Sequence, residues 1–86
     1  MRLKRRIIEE NYRKNQVIKN TELTYYYDNV EEYNQHSKKM KKEGYVLEGY
    51  TVLNLGDSEA DRLVPAAQYS KRERIEFVKE NIYEKN

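Results

Sequence analysis

Residues 21–45 read TELTYYYDNVEEYNQHSKKMKKEGY, and this stretch decides the fold. In its first eight residues Leu23, Tyr25 and Tyr27 alternate with Thr24, Tyr26 and Asp28. A period of two marks a β-strand that commits one face to a core. Asn29 then offers a side-chain acceptor to the first free amides of a helix, with Glu32 three residues on. Val30, Tyr33, Ser37 and Met40 recur at helical spacing. Lys38, Lys39, Lys41 and Lys42 crowd the last turns, where cations favour the helix dipole. Gly44 supplies a left-handed stop. The spacing predicts a helix over residues 29–43.

Working outward, RLKRRIIEENY before this stretch supports two readings. As a strand it pairs with VIKNTELTYYYD across the polar turn RKNQ. As a helix it places Leu3, Ile7, Ile8 and Tyr12 on one stripe, with Arg5–Glu9–Arg13 spaced for ion pairs. Adjacent β-branched residues favour the hairpin, and so does the liability of a lone edge at Thr21–Asp28. On the other side, YVLEGYTVLNLG alternates Tyr45, Leu47, Gly49, Thr51, Leu53 and Leu55 against Val46, Glu48, Tyr50, Val52 and Asn54. GDSEAD reads as a loop and RLVPAAQYS as a returning strand. Pro65 cannot donate to a ladder, which predicts an edge position or a bulge there. Ser70 and Glu73 form an S-x-x-E capping box that predicts a second helix through about Tyr83, with Ile75, Val78 and Ile82 inward. The expected fold is therefore α+β: one domain over residues 1–86, a small antiparallel sheet in ββαββα order, and one or two helices packed on it.

Composition bounds the function. A chain of 86 residues buries roughly 60–65% of its unfolded surface, so stability is modest. Aliphatic residues are scarce, but nine tyrosines can bury their rings while the hydroxyls stay hydrated or bonded. There are no cysteines, which excludes a disulfide scaffold, thiolate metal sites and a cysteine nucleophile. The N-terminal MRLKRRIIEENYRKN has no apolar core of a signal peptide, and no run is long enough to span a membrane. The expectation is a cytoplasmic protein. Net charge is +2 and the pI about 8.8, only mildly basic. Charge is segregated, however: residues 1–20 are basic, 21–37 acidic and 38–44 basic again.

No catalytic constellation emerges. His36 is the sole histidine, one position off the helix stripe and without a placed partner, so a structural or surface role is expected. Asp57, Glu59 and Asp61 alternate in GDSEAD but lack the glycine and distant glutamate of a calcium loop. Glu9–Glu10 and Glu31–Glu32 are consecutive and face different ways. No nucleotide fingerprint occurs, and no cofactor or metal is implied. The expectation is a non-enzymatic chain.

The candidate contact residues are Arg2, Lys4, Arg5, Arg6, Tyr26, Tyr50 and Phe77. The basic N-terminal strand attracts phosphates or acidic groups. Tyr26 and Tyr50 are expected on the face opposite Tyr25 and Tyr27, where aromatic rings beside arginines outline a platform for nucleotides or single strands. The plain alternative is that the C-terminal helix covers this face. Phe77 points away from Ile75 and Ile82, which suits a contact with a partner or a homo-oligomer. A helix buried on both sides would account for it equally.

The stretch from about Ile7 to Tyr45 resembles small uncharacterised proteins of phages and mobile elements of Gram-positive bacteria. They share a charged hairpin, an aromatic strand ending in Asp, a helix rich in Glu-Glu and a Gly-aromatic restart. The resemblance covers about half the chain and carries no functional residue with it. It implies a short accessory product that acts by stoichiometric binding. Such a protein blocks a host or defence factor, as anti-CRISPR-type inhibitors do, or sequesters a nucleotide signal. The alternative expectation is a small nucleic-acid-binding regulator.

Overall fold

The computed structural model describes residues 1–57 and 59–76. They form β1 (Arg2–Arg13), β2 (Gln16–Tyr26), α1 (Val30–Lys42), β3 (Val46–Asn54) and β4 (Leu63–Glu76). The four strands make one sheet in the order β1-β2-β4-β3, with every neighbouring pair antiparallel. The fold is α+β with a small antiparallel sheet, in ββαββ order. The N-terminal stretch is the hairpin: Arg13 pairs with Gln16 across a two-residue turn, and Arg2 with Tyr26 at the far end.

Helix α1 is bounded by the residues that predict it. Asn29 Oδ1 accepts from the Glu32 N–H at 2.8 Å, and Glu32 Oε1 accepts from the Asp28 N–H at 3.1 Å. The reciprocal bond thus reaches one residue beyond the cap. At the other end the Tyr45 N–H bonds the Met40 carbonyl and the Gly44 N–H bonds that of Lys41. With Gly44 at φ +92°, this is a Schellman stop. The turn delivers Tyr45 back against the core that holds Met40.

The core lies between α1 and one face of the sheet. Leu23, Tyr27, Met40, Ala67 and Tyr69 are buried, with Tyr25, Tyr33 and Tyr45 packed around them. Tyrosine rings take the volume that aliphatic side chains usually fill; T-shaped contacts join strand to strand at Tyr25–Tyr69 and the helix to the sheet side at Tyr27–Tyr33. His36 belongs to this core: it is 8% exposed and faces the sheet, not the neighbouring surface its spacing suggests.

Two sequence expectations fail in β4. The helix predicted from Ser70 is strand as far as Glu76, and residues 77–83 lie outside the described residues. Ser70–Glu76 instead pairs residue by residue with Gln16–Glu22. A strand of eleven residues in β2 needs a partner along its whole second edge, and that ladder outweighs a local cap worth about 1 kcal/mol. Ser70 donates to Glu48 Oε1 at 2.5 Å across the sheet rather than capping a helix, and Glu73 stands opposite Lys19.

Pro65 is also not on an edge, because β4 lies between β2 and β3. Its place within that strand explains the tolerance. The Tyr27 N–H donates to the Pro65 carbonyl at 2.8 Å, one residue past the end of β2. The nitrogen and carbonyl of a strand residue point to the same side, so the missing donor falls where β2 is already ending. The ladder to β3 stays intact, with Pro65 opposite Val52.

Candidate binding surface

Residues paired across antiparallel strands share a face, so the register assigns every strand side chain to the α1 side or to the open side. The ladder between β1 and β2 shifts between Leu3 and Arg5, leaving Lys4 as an extra residue. Before the shift Arg2 stands opposite Tyr26, and after it Arg5 stands opposite Thr24; both are on the open face. Lys4 turns the same way, with its Nζ 5.2 Å from the centre of the Tyr26 ring. Plain alternation would have split these cations. The bulge gathers Arg2, Lys4 and Arg5 on one side and turns Arg6 to the other, opposite core residue Leu23.

A second bulge redirects Tyr50. The β3–β4 ladder shifts between Leu47 and Gly49, so Glu48 is the additional residue there. Leu47 pairs with Tyr69 and Tyr50 with Ala67, which puts both on the α1 side. The Tyr50 ring meets Tyr33 of α1 at 4.3 Å between centroids. Tyr26 and Tyr50 therefore lie on opposite faces and form no shared platform. Phe77 lies outside the described residues, so its contact falls outside the structure.

Arg62 is a member that sequence reasoning passed over. It follows the acidic loop GDSEAD and reads only as the first residue of the returning strand. In the fold it lines a cleft with Arg2, Lys4, Tyr26, Asp28 and Leu63. The loop that returns it is stapled by Asn54: its Oδ1 accepts from the Gly56 and Arg62 N–H groups, and its amide donates to Asp61 at 2.9 Å. Among the described residues, Arg2, Lys4, Arg5 and Arg62 make no ion pair, while Asp28 lies 3.6 Å from the Met1 amino group. Further along the open face, Arg72 and Arg74 flank Ile18, beyond Glu9 and Glu22. The misread helix hid these two arginines.

The loop carboxylates do not converge on a cation site. Asp57 Oδ1 accepts from the Glu59 and Ala60 amides, and those bonds hold its carboxyl below the usual range. Among the described residues no group of three His, Asp or Glu side chains gathers to hold a metal ion. No described helix is long and apolar enough to cross a membrane.

His36 Nδ1 lies 2.6 Å from the Tyr27 hydroxyl, which lies 2.8 Å from that of Tyr69. Burial, then the nearby Lys39 charge, push the imidazole below its ordinary value. A neutral ring accepting at Nδ1 lets Tyr27 donate to it and Tyr69 donate to Tyr27. Burial pushes both phenols upward, so this chain stays protonated. Its geometry is that of a satisfied polar core. Comparison of the chain with protein families, curated proteins and solved structures finds no match.

Proposed function

We propose that this chain is a non-enzymatic binding protein that acts stoichiometrically, through the open face of its sheet, on an acidic surface of another protein. One observation carries the reading: a bulge collects Arg2, Lys4 and Arg5 on the face that holds Tyr26, Arg62 lines the same cleft as Arg2 and Lys4, and no described carboxylate pairs with any of the four. Uncompensated cations beside an aromatic ring supply both attraction and an apolar anchor to a partner. The resemblance to phage accessory products supports a host or defence protein as that partner, and inhibition as the consequence.

The Lys4–Tyr26 pair favours a second reading, a nucleic-acid-binding regulator, because a cation and a ring together suit a phosphate and a base. Immobilised chain and its Arg2→Glu/Lys4→Glu variant, exposed to host lysate with and without nuclease, separate the two. A protein retained after nuclease treatment and lost with the charge reversal supports the leading reading. Capture that ignores the reversal overturns the proposed face. Loss on nuclease treatment, with affinity falling by orders of magnitude between about 50 and 200 mM salt, selects the nucleic-acid reading.

A further inference from the structure

The two edges of the sheet are built differently. Strand β1 carries Arg2, Lys4, Arg5, Arg6, Glu9, Glu10 and Arg13 on both faces and is kinked by a bulge. Such charges guard an edge against pairing with another chain. Strand β3, reading VLEGYTVLN, has a single charge at Glu48 and no proline, and its bulge lies before Gly49. From Gly49 to Asn54 the outer edge is regular and uncharged and, among the described residues, unguarded. Its side chains are open to solvent apart from the half-buried Leu53, with Tyr50 42% and Val52 48% exposed.

The hydrogen-bond phase of this edge follows from one bond. The Leu55 N–H donates to the Arg62 carbonyl, so Leu55 turns toward β4. Strand residues alternate, which turns Leu53 and Thr51 inward and leaves the amides and carbonyls of Tyr50, Val52 and Asn54 pointing out of the sheet. We infer that this edge pairs with the β3 edge of a second copy of the chain, antiparallel about a two-fold axis at Thr51, joining two sheets into one of eight strands.

The sequence around Thr51 is self-complementary in that register. Tyr50 faces the partner's Val52 and Val52 the partner's Tyr50, so the two residues with outward amides exchange backbone bonds twice. Aromatic beside β-branched is also a favourable cross-strand pair. Both pairs lie on the α1 side, where they extend the layer begun by Tyr33 and Tyr50. On the open face Thr51 meets its own symmetry mate. Leu53 meets the partner's Gly49, above which a side chain finds nothing within 4 Å. No like charges are brought opposite each other. The pairing is isologous and closes on itself, so it makes a dimer and not a filament.

The absence of cysteine permits a clean test. Residues at a two-fold, non-hydrogen-bonded pair stand close enough for a disulfide. Thr51→Cys is expected to form a covalent dimer under mild oxidation, far faster than Gln68→Cys on interior strand β4. Sedimentation of the unmodified chain is expected to give twice the 10.5 kDa chain mass at high concentration. Thr51→Lys, which sets two ammonium groups face to face, is expected to weaken dimerisation at least about tenfold, with an unchanged circular dichroism spectrum. A monomer mass at every concentration overturns the inference. So does a Thr51→Cys variant that crosslinks no faster than Gln68→Cys.

Discussion

The Tyr27 hydroxyl is the residue-scale centre of this protein, since it joins strand, helix and returning strand in one buried chain with His36 and Tyr69. Removing it in Tyr27→Phe leaves an imidazole nitrogen and a phenol without that partner in a site 1% exposed. The expected loss is about 1–3 kcal/mol of unfolding free energy, read by denaturant titration. The same chain makes stability depend on pH. His36 has a folded value below its ordinary one, so the unfolded state binds a proton first as pH falls. Its contribution is complete above the ordinary histidine value of about 6.5. Stability should then decline with acidification until the folded imidazole titrates too. Burial is the largest cause of that shift; Lys39 and the Met1 amino group add to it, and Glu43 and Glu32 oppose it. A His36→Gln variant should flatten this slope, and thermal melts at several pH values would reveal an unchanged slope if the assignment is wrong. The hydrogen-bonded trio of Tyr27, His36 and Tyr69 is not legible in the sequence. His36 reads as one position off the helix stripe, and only the packing of α1 on Tyr25, Tyr27 and Tyr69 turns it inward.

At the scale of the element, α1 is held by local chemistry that the chain carries within itself. Asn29→Ala should cost about 1 kcal/mol through the lost bond to the Glu32 amide. Gly44→Ala should cost about 1–2 kcal/mol, because φ is +92° and a Cβ there is strained. The nearest atom to that Cβ is the flexible Lys71 side chain at 3.4 Å, so the penalty is conformational and not a clash. Gly44→Asn should therefore recover part of the loss in the same equilibrium unfolding measurement. The strands behave otherwise. In β1 and β3 an extra residue inverts the facing of everything beyond it, and the number of residues in the strand gives no sign of it. Strict alternation places Tyr50 beside Tyr26 and parts Arg5 from Lys4. The bulges do the reverse on both counts.

At the scale of the fold, the described residues place one helix on a four-stranded sheet and, among them, leave one face without a cover and the β3 edge without a guard. The face carries the proposed partner contact and the edge the proposed dimer. The two can be dissected by salt. Contact through Arg2, Lys4 and Arg62 should weaken as ionic strength rises, whereas pairing of β3 edges, built from backbone bonds, Tyr50 and Val52, should change little. Binding and sedimentation measured over one salt series would expose a shared mechanism if both fell together. The sequence by itself determined the alternating strand in Thr21–Asp28, which runs to Tyr26, the span and both ends of α1 and the use of tyrosine as core, and it favoured the hairpin over a helix before them. Those signals are local: alternation, a cap three residues from its amide and a glycine at a left-handed turn act between chain neighbours. Tertiary structure alone decided that β4 is central, that Ser70 and Glu73 serve a ladder and not a helix, and that Arg62 joins Arg2 and Lys4. Each of these depends on which strand lies alongside. A backbone donor needs an acceptor across space, and that demand outweighs a short motif worth about 1 kcal/mol.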